Sequence, residues 1–148
     1  MIITGKDIKS QLYELWPDLE MLETVTLLDK NFWMPKVSEI EEFFKSSEIS
    51  KMQFIDEFND CDDFAQFFLV EIKKKRYEAY MKGELPKEQA LPLSIGRAVG
   101  DLFRGMSTMH VTDLAICQEG RYVFDLTPMS NRFWKASSSS DNVLIFEI

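Results

Sequence analysis

The sequence predicts an α+β fold, because helical patterns fill its first half and strand patterns fill its last third. Apolar residues recur at helical spacing between residues 5 and 82. From residue 97 onward, short β-branched and aromatic runs alternate with turn residues, as in antiparallel strands. Helices followed by strands indicate α+β rather than alternating β–α units. The 148 residues fit one domain, spanning 1–148.

The first two predicted helices are bounded by proline and capping signals. The first covers residues 5–16 and ends at Pro17, which cannot continue a helix. The second begins either at Pro35, a residue type favoured at the first helical position, or at Ser38, which has capping-box spacing with Glu41. Their apolar faces are Ile8, Leu12 and Leu15 in the first helix, and Val37, Ile40, Phe43 and Phe44 in the second.

The third predicted helix is the longest and begins at a cysteine. Asn59 or Asp60 can cap it, and it runs from Cys61 to about Lys82, where Gly83 is a plausible stop. Its predicted buried stripe contains Phe64, Phe68 and Ile72, with Leu69 and Tyr80 beside them.

Four strands are predicted after this helix. They are Arg97–Phe103, His110–Gln118, Arg121–Thr127 and Val143–Ile148. Glu119 and Gly120 form a hairpin signal between the second and third of these strands. The expected architecture is N-terminal helices with a central, cysteine-bearing helix packed on a C-terminal antiparallel sheet.

Charge and composition exclude several classes of function. The net charge is −8, and the single basic run at 73–76 lies within a predicted helix, so nucleic-acid binding is not expected. Apolar runs are too short for a membrane span, and the N-terminal residues do not form a secretory signal. Two cysteines do not make a disulfide framework, which favours a reducing, cytoplasmic compartment. A DNA-mimicking acidic inhibitor is the least favoured alternative. The sequence does not determine the oligomeric state.

Cys61 stands in the acidic stretch DEFNDCDDFAQFF, residues 56–68. Nearby carboxylates disfavour a thiolate, but a helix N-terminus carries partial positive charge and free N–H groups that favour one. Those N–H groups could also bind an oxyanion. The alternative is a structural cysteine among solvated acids, which is the commoner role of a buried cysteine.

His110 is the only histidine and therefore the only histidine available to act as a base for Cys61. Such a base needs an acceptor that orients its second nitrogen. Asp125 and Thr127 share one face of the strand paired with that of His110, so either could supply the acceptor. A lone histidine is more often a surface or satisfied core residue. Neither a zinc site nor a cofactor is predicted, because the two cysteines and His110 lack ligand spacing.

The segment 59-NDCDDFAQFF-68 resembles the nucleophile helix of papain-like cysteine peptidases. It is similar in particular to the C-terminal domain of certain fungal agglutinins and their small bacterial and phage relatives. That group has a Cys-Asp-x-Phe-Ala motif, a histidine motif at a strand start, and a Glu-Pro-Gln segment on the next strand. The corresponding segments here are 109-MHVTD-113 and 127-TPMSNRFW-134.

The resemblance implies a papain-like fold with Cys61 as nucleophile and His110 as general base. Thr127 stands where the family has its catalytic glutamate. Either Asp125 or Asp113 takes over the orienting role, or the site is degenerate. Asn59 is a candidate oxyanion donor, as is Gln53.

The function implied by this resemblance is a cysteine peptidase or amide-cleaving hydrolase of phage or bacterial origin, with a peptide or protein partner. The alternative is a catalytically degenerate papain-like fold that acts as a small acidic interaction or inhibitor protein, such as a phage accessory protein.

Overall fold

A six-stranded sheet organises the computed structural model, which describes residues 1–56, 60–101, 103–105 and 108–148. The helices are α1 (Gly5–Leu15), α2 (Asp18–Met21), α3 (Val37–Ser46) and α4 (Cys61–Met81). The strands are β1 (Ile2–Thr4), β2 (Val25–Thr26), β3 (Asn31–Trp33), β4 (Ile95–Asp101), β5 (His110–Cys117), β6 (Gly120–Asp125), β7 (Arg132–Lys135) and β8 (Asn142–Glu147). The predicted α+β class is confirmed.

The strand order in the large sheet is β2-β8-β4-β5-β6-β7, and β1 pairs with β3 in a separate two-stranded sheet. All pairs in the large sheet are antiparallel except β2 with β8, which run parallel. A strand from the N-terminal half therefore completes a sheet that the sequence predicted to be entirely C-terminal and antiparallel.

Helices cover both faces of this sheet, so two hydrophobic cores form. Adjacent residues such as Leu114 and Ala115 belong to different cores because side chains alternate across a strand. The first core joins α1 and α2 to one face through Ile8, Leu12, Trp16, Leu19, Ala98, Leu114, Val123 and Phe146. The second core joins α3 and α4 to the other face through Ile40, Phe68, Ile72, Ala115, Phe124 and Leu126.

Helix α4 lies against β5 and positions the candidate site. Its buried residues are Phe64, Ala65, Phe68 and Ile72, which recur at helical spacing. Phe68 contacts Phe44 of α3 edge-on and also packs against Phe124 of β6. This aromatic packing fixes α4 relative to the sheet, and with it the first helical residue, Cys61. No helix in the described ranges is both long and apolar enough to cross a membrane.

The structure differs from the sequence prediction at several boundaries. Helix α3 begins at Val37, between the two predicted starts, and the Lys36 amide donates to the Glu39 carboxylate at 2.7 Å in place of the predicted Ser38 box. Strand β4 begins at Ile95 rather than Arg97. Tyr80 is 42% exposed and lies outside the buried stripe of α4. The short strands β1, β2, β3 and β7 were not predicted.

Candidate functional site

The N-terminus of α4 presents Cys61 as its first residue. Asp60 caps the helix, with its carboxylate accepting from the Asp62 amide at 3.3 Å, while the Asp60 amide donates to the Asp63 carboxylate at 3.3 Å. This reciprocal box holds the first turn in place. Cys61 is a free, half-buried cysteine. The cap predicted at Asn59 or Asp60 is thus supplied by Asp60, and Asn59 lies outside the described residues.

His110 and Asp125 meet at one end of the β5–β6 pair. His110 begins β5 and Asp125 ends β6, and antiparallel strands bring a start and an end together. The His110 Nε2 lies 2.8 Å from the Asp125 Oδ2. The His110 side chain is 13% exposed and that of Asp125 is fully buried. Phe103 packs edge-on against the imidazole ring, 6.4 Å away between centroids. The contact is therefore a buried, oriented pair rather than a surface ion pair.

The Cys61 thiol lies near enough to the His110 side chain to raise the pKa of that imidazole. Because Asp125 occupies Nε2, Nδ1 is the ring nitrogen left to face the sulfur. Burial lowers the pKa of His110, but the hydrogen bond and negative charge of Asp125, together with the interaction with Cys61, outweigh it and raise this pKa from 6.5 to about 9. His110 is therefore an imidazolium at neutral pH. The structure brings Cys61, His110 and Asp125 together at one site.

Asp125 remains charged within this buried site because donors surround its carboxylate. Burial by itself raises the pKa of Asp125, yet the hydrogen bond and charge of His110 and the hydrogen bonds from Thr127 bring it below its ordinary 3.8. The Thr127 amide and hydroxyl both donate to Oδ1, at 3.0 and 2.8 Å. Thr127 therefore contacts Asp125, whereas the sequence had placed it as a possible direct partner of His110.

Asp113 does not orient His110, contrary to one of the sequence alternatives. It lies an odd number of residues along β5 from His110, so strand alternation directs it to the opposite face. Its carboxylate is fully buried, and neither oxygen has a hydrogen-bond partner among the described residues. Desolvation, reinforced by the charge of Asp125 and only partly offset by Arg97, raises the pKa of Asp113 well above 3.8.

The sequence also singled out Gln53, Cys117 and the acids next to Cys61. Gln53 is exposed. Cys117 is 2% exposed in the core, and burial raises the pKa of its thiol to about 12. Carboxylate oxygens of Asp60, Asp62 and Asp63 lie within 4.8 Å of one another at the start of α4. Hydrogen bonding to Asp60 is the main cause of the raised pKa of Asp62.

The contact between Thr127 and Asp125 has a local sequence signal. Aspartate side chains commonly accept the amide two residues later in an Asx-turn, and Asp125-Leu126-Thr127 has that spacing, with a hydroxyl donor at its last position. The predicted strand extended to Thr127, which obscured this turn. Strand β6 instead ends at Asp125, and the Thr127 carbonyl accepts from Ser130 and Asn131 in the turn that follows.

Comparison with known proteins identifies similar folds but no family. No family profile and no curated protein sequence matches the chain. Ten chains of solved structures do match, among them the following two. The chain of the PSL1a-E64 complex shows a TM-score of 0.71 and 18% identity, over 99% of this chain and 51% of that chain. The Polyporus squamosus lectin bound to a human-type influenza-binding epitope, Neu5Acα2-6Galβ1-4GlcNAc, shows a TM-score of 0.70 and 19% identity, over 99% of this chain and 49% of that chain.

The fold resembles half of a lectin chain. At these identities the likeness is one of fold, and the present chain spans about half the length of the structures that it matches. Glycan binding is a property of the longer lectin. The matched region nevertheless includes nearly all of the present chain, so its helices and sheet have a counterpart of known structure.

These matches overturn the family predicted from the sequence. The matching chains are those of a sialic-acid-binding lectin, not of a papain-like peptidase. The predicted papain-like family, the cysteine peptidase or hydrolase activity and the inhibitor alternative are therefore wrong, as is the peptide partner. The prediction failed because a short motif at a helix start reports local geometry and capping chemistry, which unrelated functions share.

Proposed function

We propose that Cys61, His110 and Asp125 form a nucleophilic thiol centre. The observation that supports it is a buried imidazole that contacts the Asp125 carboxylate at 2.8 Å and also interacts with the Cys61 thiol. A thiolate is the reactive form of cysteine, and an adjacent imidazolium stabilises it. Peptide cleavage forms no part of the proposal.

Each residue has a separate role in this centre. Cys61 attacks an electrophilic carbon, His110 supplies the proton that the displaced oxygen takes up, and Asp125 keeps the imidazolium charged and oriented. The N–H groups at the start of α4 lie beside the sulfur and favour negative charge there. The three groups thus act as a nucleophile, a proton-transferring histidine and a carboxylate that orients it.

Alkylation with E64 tests this proposal, because E64 carries an epoxide that a thiolate can open. A sulfur–carbon bond forms while the ring carbon–oxygen bond breaks, and the His110 proton passes to the ring oxygen. At pH 7 we expect one adduct per chain, on Cys61, formed at least tenfold faster than with free cysteine. Intact-mass and peptide mass spectrometry follow the reaction.

The chain supplies its own reference thiol. Cys117 is buried and its pKa is raised to about 12, so it should remain unmodified in the folded protein. His110→Ala should slow the reaction of Cys61 by at least tenfold, and Cys61→Ala should abolish it. Reaction of Cys61 no faster than free cysteine, or an unchanged rate in His110→Ala, would refute the nucleophilic centre.

A second candidate function is glycan recognition, which the fold match over 99% of this chain favours. Titration with Neu5Acα2-6Galβ1-4GlcNAc, followed by calorimetry and by amide NMR shifts, tests it. Galβ1-4GlcNAc without the sialic acid is the matched control ligand. Binding of the trisaccharide but not of the disaccharide would support recognition of sialylated glycans. No shift at millimolar ligand would refute glycan recognition by this chain.

A further inference from the structure

The Asp125 carboxylate divides its two oxygens between different partners. Oδ2 contacts the His110 Nε2 at 2.8 Å, and Oδ1 accepts from both the amide and the hydroxyl of Thr127, at 3.0 and 2.8 Å. Asp125 is 1% exposed and Thr127 is 2% exposed, so water does not compete for these bonds. An oxygen held by two donors cannot rotate away without losing both.

Thr127 is itself fixed by the turn after β6. Its carbonyl accepts from the Ser130 amide at 3.0 Å and from the Asn131 amide at 2.8 Å. The backbone of Thr127 is therefore held independently of its side chain. The hydroxyl contributes one contact that the turn does not require, namely the bond to Oδ1 of Asp125.

We propose that Thr127 is a positioning residue for the thiol centre: by holding Oδ1 of Asp125, it keeps Oδ2 on the His110 Nε2 and so directs Nδ1 toward the Cys61 sulfur. This inference rests on the nucleophilic centre proposed above. Hydrogen bonds to a carboxylate favour its charged form, and a charged Asp125 favours the imidazolium. Thr127 thus acts through Asp125 and touches neither the sulfur nor a substrate.

Two substitutions separate positioning from simple support of the turn. Thr127→Val keeps the shape and the amide donor but removes the hydroxyl, whereas Thr127→Ser keeps both donors. In Thr127→Val we expect the pKa of His110 to fall by about one unit, which is a tenfold change in its protonation equilibrium. Alkylation of Cys61 by E64 at pH 7 should slow by about tenfold. Thr127→Ser should match the wild type within twofold in both measurements.

His110 is the only histidine, so its NMR signals titrate without assignment ambiguity. The titration is repeated in a Cys61→Ala background, where no thiol chemistry occurs, so the positioning role is tested even if the nucleophilic centre fails. There, too, Thr127→Val should lower the pKa of His110 relative to Thr127→Ser. Equal His110 pKa values in the two variants, with only the melting temperature lowered in Thr127→Val, would overturn the inference.

Discussion

Two buried aspartates on neighbouring strands behave in opposite ways. Asp125 receives hydrogen bonds from His110 and Thr127, and its pKa falls below 3.8 despite its burial. Asp113 has no hydrogen-bond partner among the described residues, and burial raises its pKa well above 3.8. Burial favours the neutral acid at Asp113, whereas the surrounding donors favour the carboxylate at Asp125. The local supply of donors decides the charge of a buried carboxyl group.

Asp113→Asn should stabilise the protein at neutral pH. In the unfolded chain Asp113 ionises near 3.8, whereas in the folded chain it stays protonated to a higher pH, so folding takes up a proton between the two pKa values. The free energy of unfolding is then lost at up to about 1.4 kcal/mol per pH unit above 3.8, until the folded pKa is reached. Asparagine does not titrate, so the advantage of the variant should grow as the pH rises above about 4, until the folded pKa of Asp113 is reached. Urea unfolding at a series of pH values measures it.

Asp125→Asn is the matched control, because its expected change in the free energy of unfolding has the opposite sign. The pKa of Asp125 is depressed on folding, so its contribution to stability is present above 3.8 and is lost as the pH falls through the folded value. This variant should be less stable than the wild type at pH 7. A destabilised Asp113→Asn protein at pH 7 would show instead that Asp113 is ionised and paired.

At the scale of elements, α4 connects the packing of the fold to the reactive sulfur. Its buried aromatic stripe fixes the helix on the sheet, and the Asp60 box fixes its first turn. A capping interaction of this kind contributes about 1 kcal/mol, and the first turn frays without it. Because Cys61 is the first helical residue, fraying would move the sulfur away from His110.

We therefore expect Asp60→Ala and Asp60→Asn to differ. Asparagine can cap a helix and alanine cannot, so only Asp60→Ala should lose about 1 kcal/mol in the free energy of unfolding. Alkylation of Cys61 should slow in Asp60→Ala and persist in Asp60→Asn. Denaturation and E64 kinetics check the pair, and identical behaviour of the two variants would mean that the cap does not hold the site.

Elements with local signals were predictable from the sequence, and elements made by long-range pairing were not. Pro17, Asp60 and Gly83 mark helix ends that the structure places within one or two residues. Strand β2 has two residues, and its pairing with β8 leaves no local pattern. The proximity of His110 and Asp125 could be predicted from strand alternation. The raised pKa of Asp113 and the family of the fold could not be predicted, because burial and overall fold are not properties of a short motif.

At the scale of the whole molecule, β8 holds the sheet together by lying between β2 and β4. Gly100 of β4 lies at the register shift between these strands, and it also pairs with His110 on β5. A Cβ atom at Gly100 would lie 2.1 Å from the Asn142 carbonyl oxygen, which is far inside contact distance. Backbone, not a flexible side chain, occupies that space, so the position admits only glycine without a shift of β8.

Gly100→Ala should therefore destabilise the protein by about 3–5 kcal/mol, a large effect for one methyl group. Gly5→Ala is the control, because its Cβ would meet the far end of the Leu27 side chain at 3.1 Å, which can move. Thermal unfolding of the two variants measures the difference. Equal melting temperatures would show that β8 can shift to accommodate the methyl group.

The pairing of β2 with β8 also bears on how fast the chain can fold. Val25 pairs in register with Phe146, and the Phe146 amide donates to the Thr24 carbonyl, so two segments far apart in the sequence must meet before the sheet is complete. Contacts between residues far apart in sequence require a large loop to close, and proteins rich in such contacts fold slowly. During synthesis, the edge of β4 that β8 covers stays unpaired until residue 147 leaves the ribosome, which exposes nascent chains to aggregation at that edge.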